Sequence, residues 1–466
     1  MVCPIICASP LAPKRKCKGL IKPWKKFVAE IKNTLISTPQ KKLELNCDVV
    51  VPGDKSISHR SMILGGLAEG VTEVSGFLES ADCLSTMRAM QSMGVKIVKK
   101  DDKYLVHGVG KGGLKPPKSG KIDCGNSGTG MRLLSGVLAA QNFESEIFGD
   151  KSLNARPMGR IIKPLEIMGA IIESDENETA PLKFSPVEKL KAVNYQSPIA
   201  SAQVKSCILL AGLYADCETV VSEPKLSRDH TENMLQGFGC QLDVDKQNLT
   251  VKMHGGQTLK ATKVVVPADI SSAAFFMVLA CLSENSQLTF KNLCVNPSRS
   301  GVIDILKLMG ADIDIVNETV NAGESIADVV VKSSQLHGIE IPHEYIASAI
   351  DEFPILFIAA SLAKGETKLT GAMELRKKES DRITVMADGL KKLGCDCHEL
   401  EDGIIIKGGK LSGGIVDSED DHRCAMSFLI AGQFAENPIT VKNCENIMTS
   451  FPNFLEICKN LGFDIV

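Results

Sequence analysis

Lys55, Ser56 and Arg60 stand together in the run Val51-Pro52-Gly53-Asp54-Lys55-Ser56-Ile57-Ser58-His59-Arg60. A β-like stretch from Cys47 to Val51 stops at Pro52-Gly53. An apolar helical pattern then begins, with Ile57, Leu64 and Leu67 on its buried side. Unsatisfied backbone N–H groups and the positive end of the helix dipole attract anions at such a start. Lys55 and Ser56 occupy the opening turn and Arg60 the next, so one anionic ligand can touch all three. Taken alone, a capped helix with two solvated cations explains the run equally well.

Similar groups stand at further helix starts. Asp123-Cys-Gly-Asn-Ser-Gly-Thr-Gly-Met-Arg132 opens a helix with glycines that let backbone approach a ligand closely, Asn126 and Gly128 among them. Arg156, ahead of Pro157, is biased to extended backbone and offers a fork for phosphate or carboxylate. Ser201-Ala202-Gln203 opens a markedly apolar helix; capping accounts for Ser201 but not for Gln203. Arg228, in Ser227-Arg-Asp-His-Thr-Glu232, precedes another helix, and Arg423 follows Asp421-His422 at the last long apolar one. Asp351 sits at the start of a helix with Ile355, Ile358 and Leu362 on its face. In Glu374-Leu-Arg-Lys-Lys-Glu-Ser-Asp-Arg-Ile383, helical spacing predicts one shared face for Lys378 and Arg382, with Glu379 beside them. If these starts converge, Lys55, Arg60, Arg156, Arg228, Lys378, Arg382 and Arg423 make a pocket for small, multiply charged anions. Asp351 and Glu379 then become candidate proton-transfer groups.

The elements that must position them recur. Apolar helical segments start near Ser56, Gly128, Ser201, Ser271, Asp351 and Asp421, and a second amphipathic pattern then ends at Gly94, Gly169, Gly239, Gly310, Gly394 and Gly462. This predicts six copies of a unit of about 70 residues, each with two helices and several strands. The chain has 466 residues, enough for two domains, and its 44% apolar content supports real cores. A net charge of −3 gives no argument for nucleic acid or membrane. The 16 cysteines are scattered without a Cys-x-x-Cys pair, so they read as reduced cytosolic thiols rather than a metal site. Residues 1–45 are expected to be an appendage. Lys14, Arg15, Lys16, Lys18, Lys22, Lys25 and Lys26 precede its first acid, Glu30, and one short amphipathic helix is expected from Pro23 through Trp24, Phe27, Val28, Ile31 and Leu35. An organelle-targeting segment is the weaker alternative, since Ser is scarce.

Eight ordered motifs, among them Pro-Gly-Asp-Lys-Ser-Ile-Ser-His-Arg, Gly-Asn-Ser-Gly-Thr, Ser-Ala-Gln-Val-Lys-Ser, Ser-Arg-Asp-His-Thr, Lys-Glu-Ser-Asp-Arg and Asp-His-Arg, make the chain from Val49 onward resemble the EPSP synthases, in their bacterial class with the third and fourth of these signatures. The resemblance implies a two-domain, inside-out α/β barrel of six βαβαββ units, three per domain, with helix N-termini facing the cleft. The implied domains are 46–53 plus 268–466 and 54–267, with crossings near Gly53-Asp54 and Pro267-Asp269. The implied reaction moves the enolpyruvyl group of phosphoenolpyruvate to the 5-hydroxyl of shikimate 3-phosphate. Lys55, Ser56, Arg60, Ser201, Ala202, Gln203, Arg228, Asp351 and Lys378 would bind shikimate 3-phosphate. Lys55, Asn126, Gly128, Arg156, Gln203, Arg382 and Arg423 would bind phosphoenolpyruvate. Asp351 would act as base and Glu379 as proton donor, with Lys55 in the catalytic set. No metal or organic cofactor is expected, and the enzyme is expected to be monomeric and cytoplasmic. The inhibitor glyphosate would occupy the phosphoenolpyruvate site beside Gly128, where tolerant relatives often carry Ala. One departure is Met448, where some relatives carry Lys. A UDP-sugar enolpyruvyl transferase would need a loop cysteine that has no match here. A non-catalytic relative would have lost Lys55, Asp351 or Glu379.

Overall fold

A computed structural model describes residues 32–40 and 43–466. Its helices are α1 (Lys55–Leu67), α2 (Ala81–Ser92), α3 (Gly128–Leu138), α4 (Lys151–Asn154), α5 (Gly159–Ile167), α6 (Ala202–Gly212) and α7 (His230–Gly237). They continue as α8 (Ile270–Leu282), α9 (Gly301–Leu308), α10 (Phe353–Leu362), α11 (Arg382–Lys392), α12 (His422–Ala431) and α13 (Phe454–Asn460).

The six expected starts are the starts of α1, α3, α6, α8, α10 and α12. Side chains written into the sequence fix most of them. Asp54, Ser127, Ser201, Asp269 and Asp421 each accept a hydrogen bond from the first turn of the helix that follows. α10 instead begins with Pro354 in its first turn. These helices lie inside. α3 packs on α1 and α6, while α8, α10 and α12 pack on one another. A helix with no side facing water can be apolar all round: every residue of α8 from Ile270 to Cys281 is buried. Phe276 and Phe353 are fully enclosed, and each such side chain contributes roughly 1.5–3 kcal/mol of burial, which holds the helix starts in place. The second helix of each unit ends at a glycine in the left-handed region, with φ from +82° at Gly394 to +96° at Gly169 and Gly310.

The sheets lie outside. In the second unit, strand Lys121–Asp123 runs parallel to Ser145–Phe148, which is antiparallel to Leu182–Ser185, itself antiparallel to Ile171–Glu173. Three units take a strand from elsewhere in the chain. Lys263–Val265 joins the first, parallel to Glu69–Ser75. Asn46–Val49 joins the fourth, parallel to Gln287–Cys294. Thr34–Thr38 joins the sixth, between Ile439–Lys442 and Asp464–Ile465. Residues 1–45 are therefore not an appendage throughout. Leu35 is a buried residue of a β-strand, where an amphipathic helix was expected. Thr34-Leu-Ile-Ser-Thr38 alternates exposed and buried positions with a period of two, and its β-branched residues favour a strand. The rest of that expected helix, Trp24 to Ile31, lies outside the described residues.

Buried apolar residues fall into two clusters. One spans Ile57 to Val266 with Cys294; the other joins Leu35, Leu45, Val49 and Val51 to residues between Ile270 and Phe463. The chain passes between them along two adjoining segments. Asp54 N–H donates to the Pro267 carbonyl at 2.7 Å, and Asp269 N–H to the Pro52 carbonyl at 2.9 Å.

Candidate active site

The N-terminal ends of α1, α3 and α6 supply one wall of a cleft. On α1, the Lys55 ammonium pairs with Asp82 at the start of α2. Burial disfavours its charge, but Asp82 outweighs this and raises its pKa, so Lys55 is held as a cation. Arg60, one turn on, is buried. Its Nε donates to Thr231 Oγ1 at 2.7 Å, Nη2 to Ser206 Oγ at 2.8 Å and Nη1 to the Ser56 carbonyl at 3.0 Å. On α6, Gln203 Nε2 donates to Thr129 Oγ1 at 3.0 Å. Arg156 Nη2 donates to Asn126 Oδ1 at 3.0 Å. A Cβ on Gly128 would lie 3.1 Å from Arg132 Nη1 and 3.3 Å from Arg156 Nη1, so the missing side chain lets two guanidiniums close on the α3 start.

The other wall is built from the segments before α10, α11 and α12. Asp351 is its centre. Lys378 Nζ lies 3.2 Å and Arg382 Nη1 3.3 Å from Asp351 Oδ1, and Arg423 Nη1 donates to its carbonyl at 3.0 Å. Arg228 reaches across from the opposite wall to pair with Asp351. Burial pushes the Asp351 carboxyl up, but Arg228, Lys378, Arg423 and Arg382 together hold it well below the usual range. Glu379 accepts from Arg382 Nη2 at 2.6 Å. Burial opposes its charge, yet Arg382, His422 and Arg156 hold its pKa down too. Arg382 is itself 1% exposed and anchored by Asp421, with Nε 2.8 Å from Oδ2.

One expectation about this wall is corrected. Lys378 and Arg382 do not share a helix face. A 3-10 turn, Met373–Lys377, ends at Lys378, and α11 starts afresh at Arg382 with Asp381 as its cap. The two cations meet because both point at Asp351. Ser56, Asn126, Ser201 and Ala202 stand at or beside the starts of α1, α3 and α6. Met448 lies in the 3-10 turn Glu445–Thr449.

Sequence reasoning missed two site residues. Arg132 follows Gly128 by one helical turn, and its Nη1 donates to Gln203 Oε1 at 2.7 Å. Burial, then Arg156 and Arg160, lower its pKa to about 10, so it adds unneutralised positive charge. Arg299 is 3% exposed. Its Nη2 lies 3.1 Å from Asp269 and 3.6 Å from Asp54, and its Nη1 lies 4.0 Å from Asp351. Spacing could have flagged Arg132, at i+4 from Gly128; Arg299 stands two residues before α9 in Asn296-Pro-Ser-Arg-Ser-Gly301, but its partners are not local.

Fold and cleft define an α/β enzyme of two three-unit lobes whose helix starts bring a set of cations around two carboxylates. A family model described as EPSP synthase (3-phosphoshikimate 1-carboxyvinyltransferase) matches residues 39–458. The chain is 54% identical to a 3-phosphoshikimate 1-carboxyvinyltransferase of Methylococcus capsulatus, over 90% of this chain and 95% of that one. It is 50% identical to one of Coxiella burnetii, over 90% and 96%. A solved EPSP synthase of Acinetobacter baumannii superposes with a TM-score of 0.85 at 49% identity, covering 93% of this chain and 99% of the other. The chain belongs to the EPSP synthase family.

Proposed function

We propose that this chain joins phosphoenolpyruvate to shikimate 3-phosphate through the 5-hydroxyl, releasing phosphate, with the division of labour that follows. The observation that carries the reading is the convergence of Lys55, Arg228, Lys378, Arg382 and Arg423 on a cleft holding Asp351 and Glu379. Ser56, Arg60, Ser201, Ala202, Gln203, Arg228 and Lys378 receive shikimate 3-phosphate. Asn126, Gly128, Arg156, Arg382 and Arg423 receive phosphoenolpyruvate, and Lys55 and Gln203 touch both. Asp351 accepts the 5-hydroxyl proton as that oxygen bonds to C2 of phosphoenolpyruvate, and Glu379 delivers a proton to the methylene carbon. The phosphate C–O bond then breaks as the new methyl group returns a proton. Substrate charges competing for Arg228, Lys378 and Arg382 raise both carboxyls from their depressed values toward working range. Proton transfer between these groups supplies the acid–base chemistry without a cofactor. The free thiols at buried Cys124, Cys207 and Cys281 support a reducing, cytoplasmic setting.

A coupled phosphate assay tests this. Phosphate release should need both substrates. Release with phosphoenolpyruvate alone, or none with both, would sink the reading.

A further inference from the structure

Beneath the cleft wall lies a cluster of buried charges that none of the proton or substrate steps uses. Lys205 Nζ sits 2.8 Å from Glu223 Oε2 and 2.8 Å from Glu232 Oε1, with side-chain exposures of 4%, 3% and 2%. Each member is bonded or joined to a segment that carries a shikimate 3-phosphate group. Glu223 Oε1 accepts the backbone N–H of Ser201 at 3.1 Å. Both Glu223 oxygens accept from Ser227 Oγ at 2.7 Å, and Ser227 adjoins Arg228. Glu232 adjoins Thr231, which with Ser206 holds Arg60; the two hydroxyls lie 2.6 Å apart. Lys205 and Arg60 against Glu223 and Glu232 balance to zero formal charge.

A buried ion pair is weak evidence for stability, since apolar residues of similar volume often do as well. What an apolar cluster cannot do is fix the starts of α6 and α7 and a side chain of α1 in one register through directional bonds. Among the residues proposed for phosphoenolpyruvate, Asn126, Gly128, Arg156, Arg382 and Arg423 make no bond to this cluster.

We propose that Lys205, Glu223 and Glu232 are positioning residues that set the shikimate 3-phosphate half of the cleft, through Ser201, Arg228 and Arg60, and leave alone the phosphoenolpyruvate contacts at Asn126, Gly128, Arg156, Arg382 and Arg423. The inference rests on the substrate assignments proposed above.

The test is Glu223→Gln in the full chain. Gln keeps the volume and the acceptor for Ser201, and removes the charge and the Oε2 acceptor that Lys205 and Ser227 share. Calorimetric affinity for shikimate 3-phosphate should fall about tenfold. The KM for phosphoenolpyruvate at saturating shikimate 3-phosphate, and kcat, should stay within about twofold. If Glu223→Gln fails to fold, Ser227→Ala cuts only the link to Arg228, and about a threefold loss of shikimate 3-phosphate affinity alone is expected. Unchanged affinity in the folded variant, or equal shifts for both substrates, overturns the proposal. Failure of the unaltered protein to bind shikimate 3-phosphate would instead overturn the substrate assignment.

Discussion

At the scale of single residues, Lys55 carries the sharpest expectation, because it is assigned to both substrates and Asp82 keeps it charged. Lys55→Met should lower kcat/KM at least about tenfold for each substrate, the loss of a charge-assisted contact of roughly 1.5–3 kcal/mol. Steady-state kinetics decide this, and near-normal turnover would refute the assignment. Gly128→Ala has a more exact rationale in the structure than in the sequence. The added methyl presses on Arg132 and Arg156, both of which must give by a few tenths of an ångström. The KM for phosphoenolpyruvate should therefore rise modestly. Inhibition by the longer glyphosate should weaken about tenfold more. An unchanged ratio of inhibition constant to KM would remove Gly128 from that pocket. Lys55, Arg156, Gln203 and Asp351 were legible because each stands at a motif-bearing helix start. Arg299 was not, because its partners Asp54, Asp269 and Asp351 are far away in sequence.

At the scale of elements, the capped apolar helices were legible because cap and core residues are contiguous. The break after Lys378 was not, although Asp381 marks it in hindsight: its Oδ1 accepts Thr384 N–H at 3.1 Å. The strand Thr34–Thr38 escaped because a helical period from Trp24 ran on into it. Buried helices also set an acid limit. On α1, His59 is fully buried, and burial, then Lys55, hold its pKa near 3; His422 on α12 is held near 4 mainly by burial. Both are depressed below the unfolded value of about 6.5, so the unfolded chain takes up protons first. Their stabilisation is complete above about pH 6.5 and lost as pH falls toward the folded values, at roughly 1.4 kcal/mol per pH unit for each. Asp269 and Glu232, whose pKa values burial raises, oppose this as they protonate in the folded state. Comparison with His59→Gln isolates the effect. Its denaturation midpoint should depend less on pH between 6.5 and 5 than that of the unaltered protein. Equal slopes would show that His59 does not titrate on unfolding.

At the scale of the whole molecule, we propose two domains, 54–267 and 268–466, the second completed by the chain before Asp54. Contacts between the lobes include both ion pairs and neutral bonds: Arg228 pairs with Asp351, Arg160 Nη1 lies 3.8 Å from Glu374 Oε2, Asn296 Nδ2 donates to Asp229 Oδ1 at 2.7 Å, and Val265 N–H donates to Asn321 Oδ1 at 3.0 Å. Arg160 and Glu374 are both substantially exposed, so that pair contributes little. Because the cations of the cleft come from both lobes, substrate charge should draw the lobes together about the two adjoining crossings. Shikimate 3-phosphate should lower the radius of gyration in small-angle scattering; an unchanged radius at saturation would count against closure. The six-unit plan was legible because it repeats. The borrowed strands were not, because pairing of Ile36 with Thr440 and of Ser37 with Ile465 leaves no local signal.

Those borrowed strands bear on how the chain is made. Thr34–Thr38 and Asn46–Val49 leave the ribosome first, yet their partners lie at Gln287–Cys294, Ile439–Lys442 and Asp464–Ile465. The 54–267 lobe has all its strands once Val265 has emerged and can form during translation. The N-terminal strands must wait with open edges. At about 5–20 residues per second, the last 200 or so residues take roughly 10–40 s. Ile36 donates to and accepts from Val466, so the sixth sheet closes only once Val466 has emerged. Vectorial synthesis thus favours one lobe and strands the other, and translation speed should govern yield through the time those edges stay unpaired.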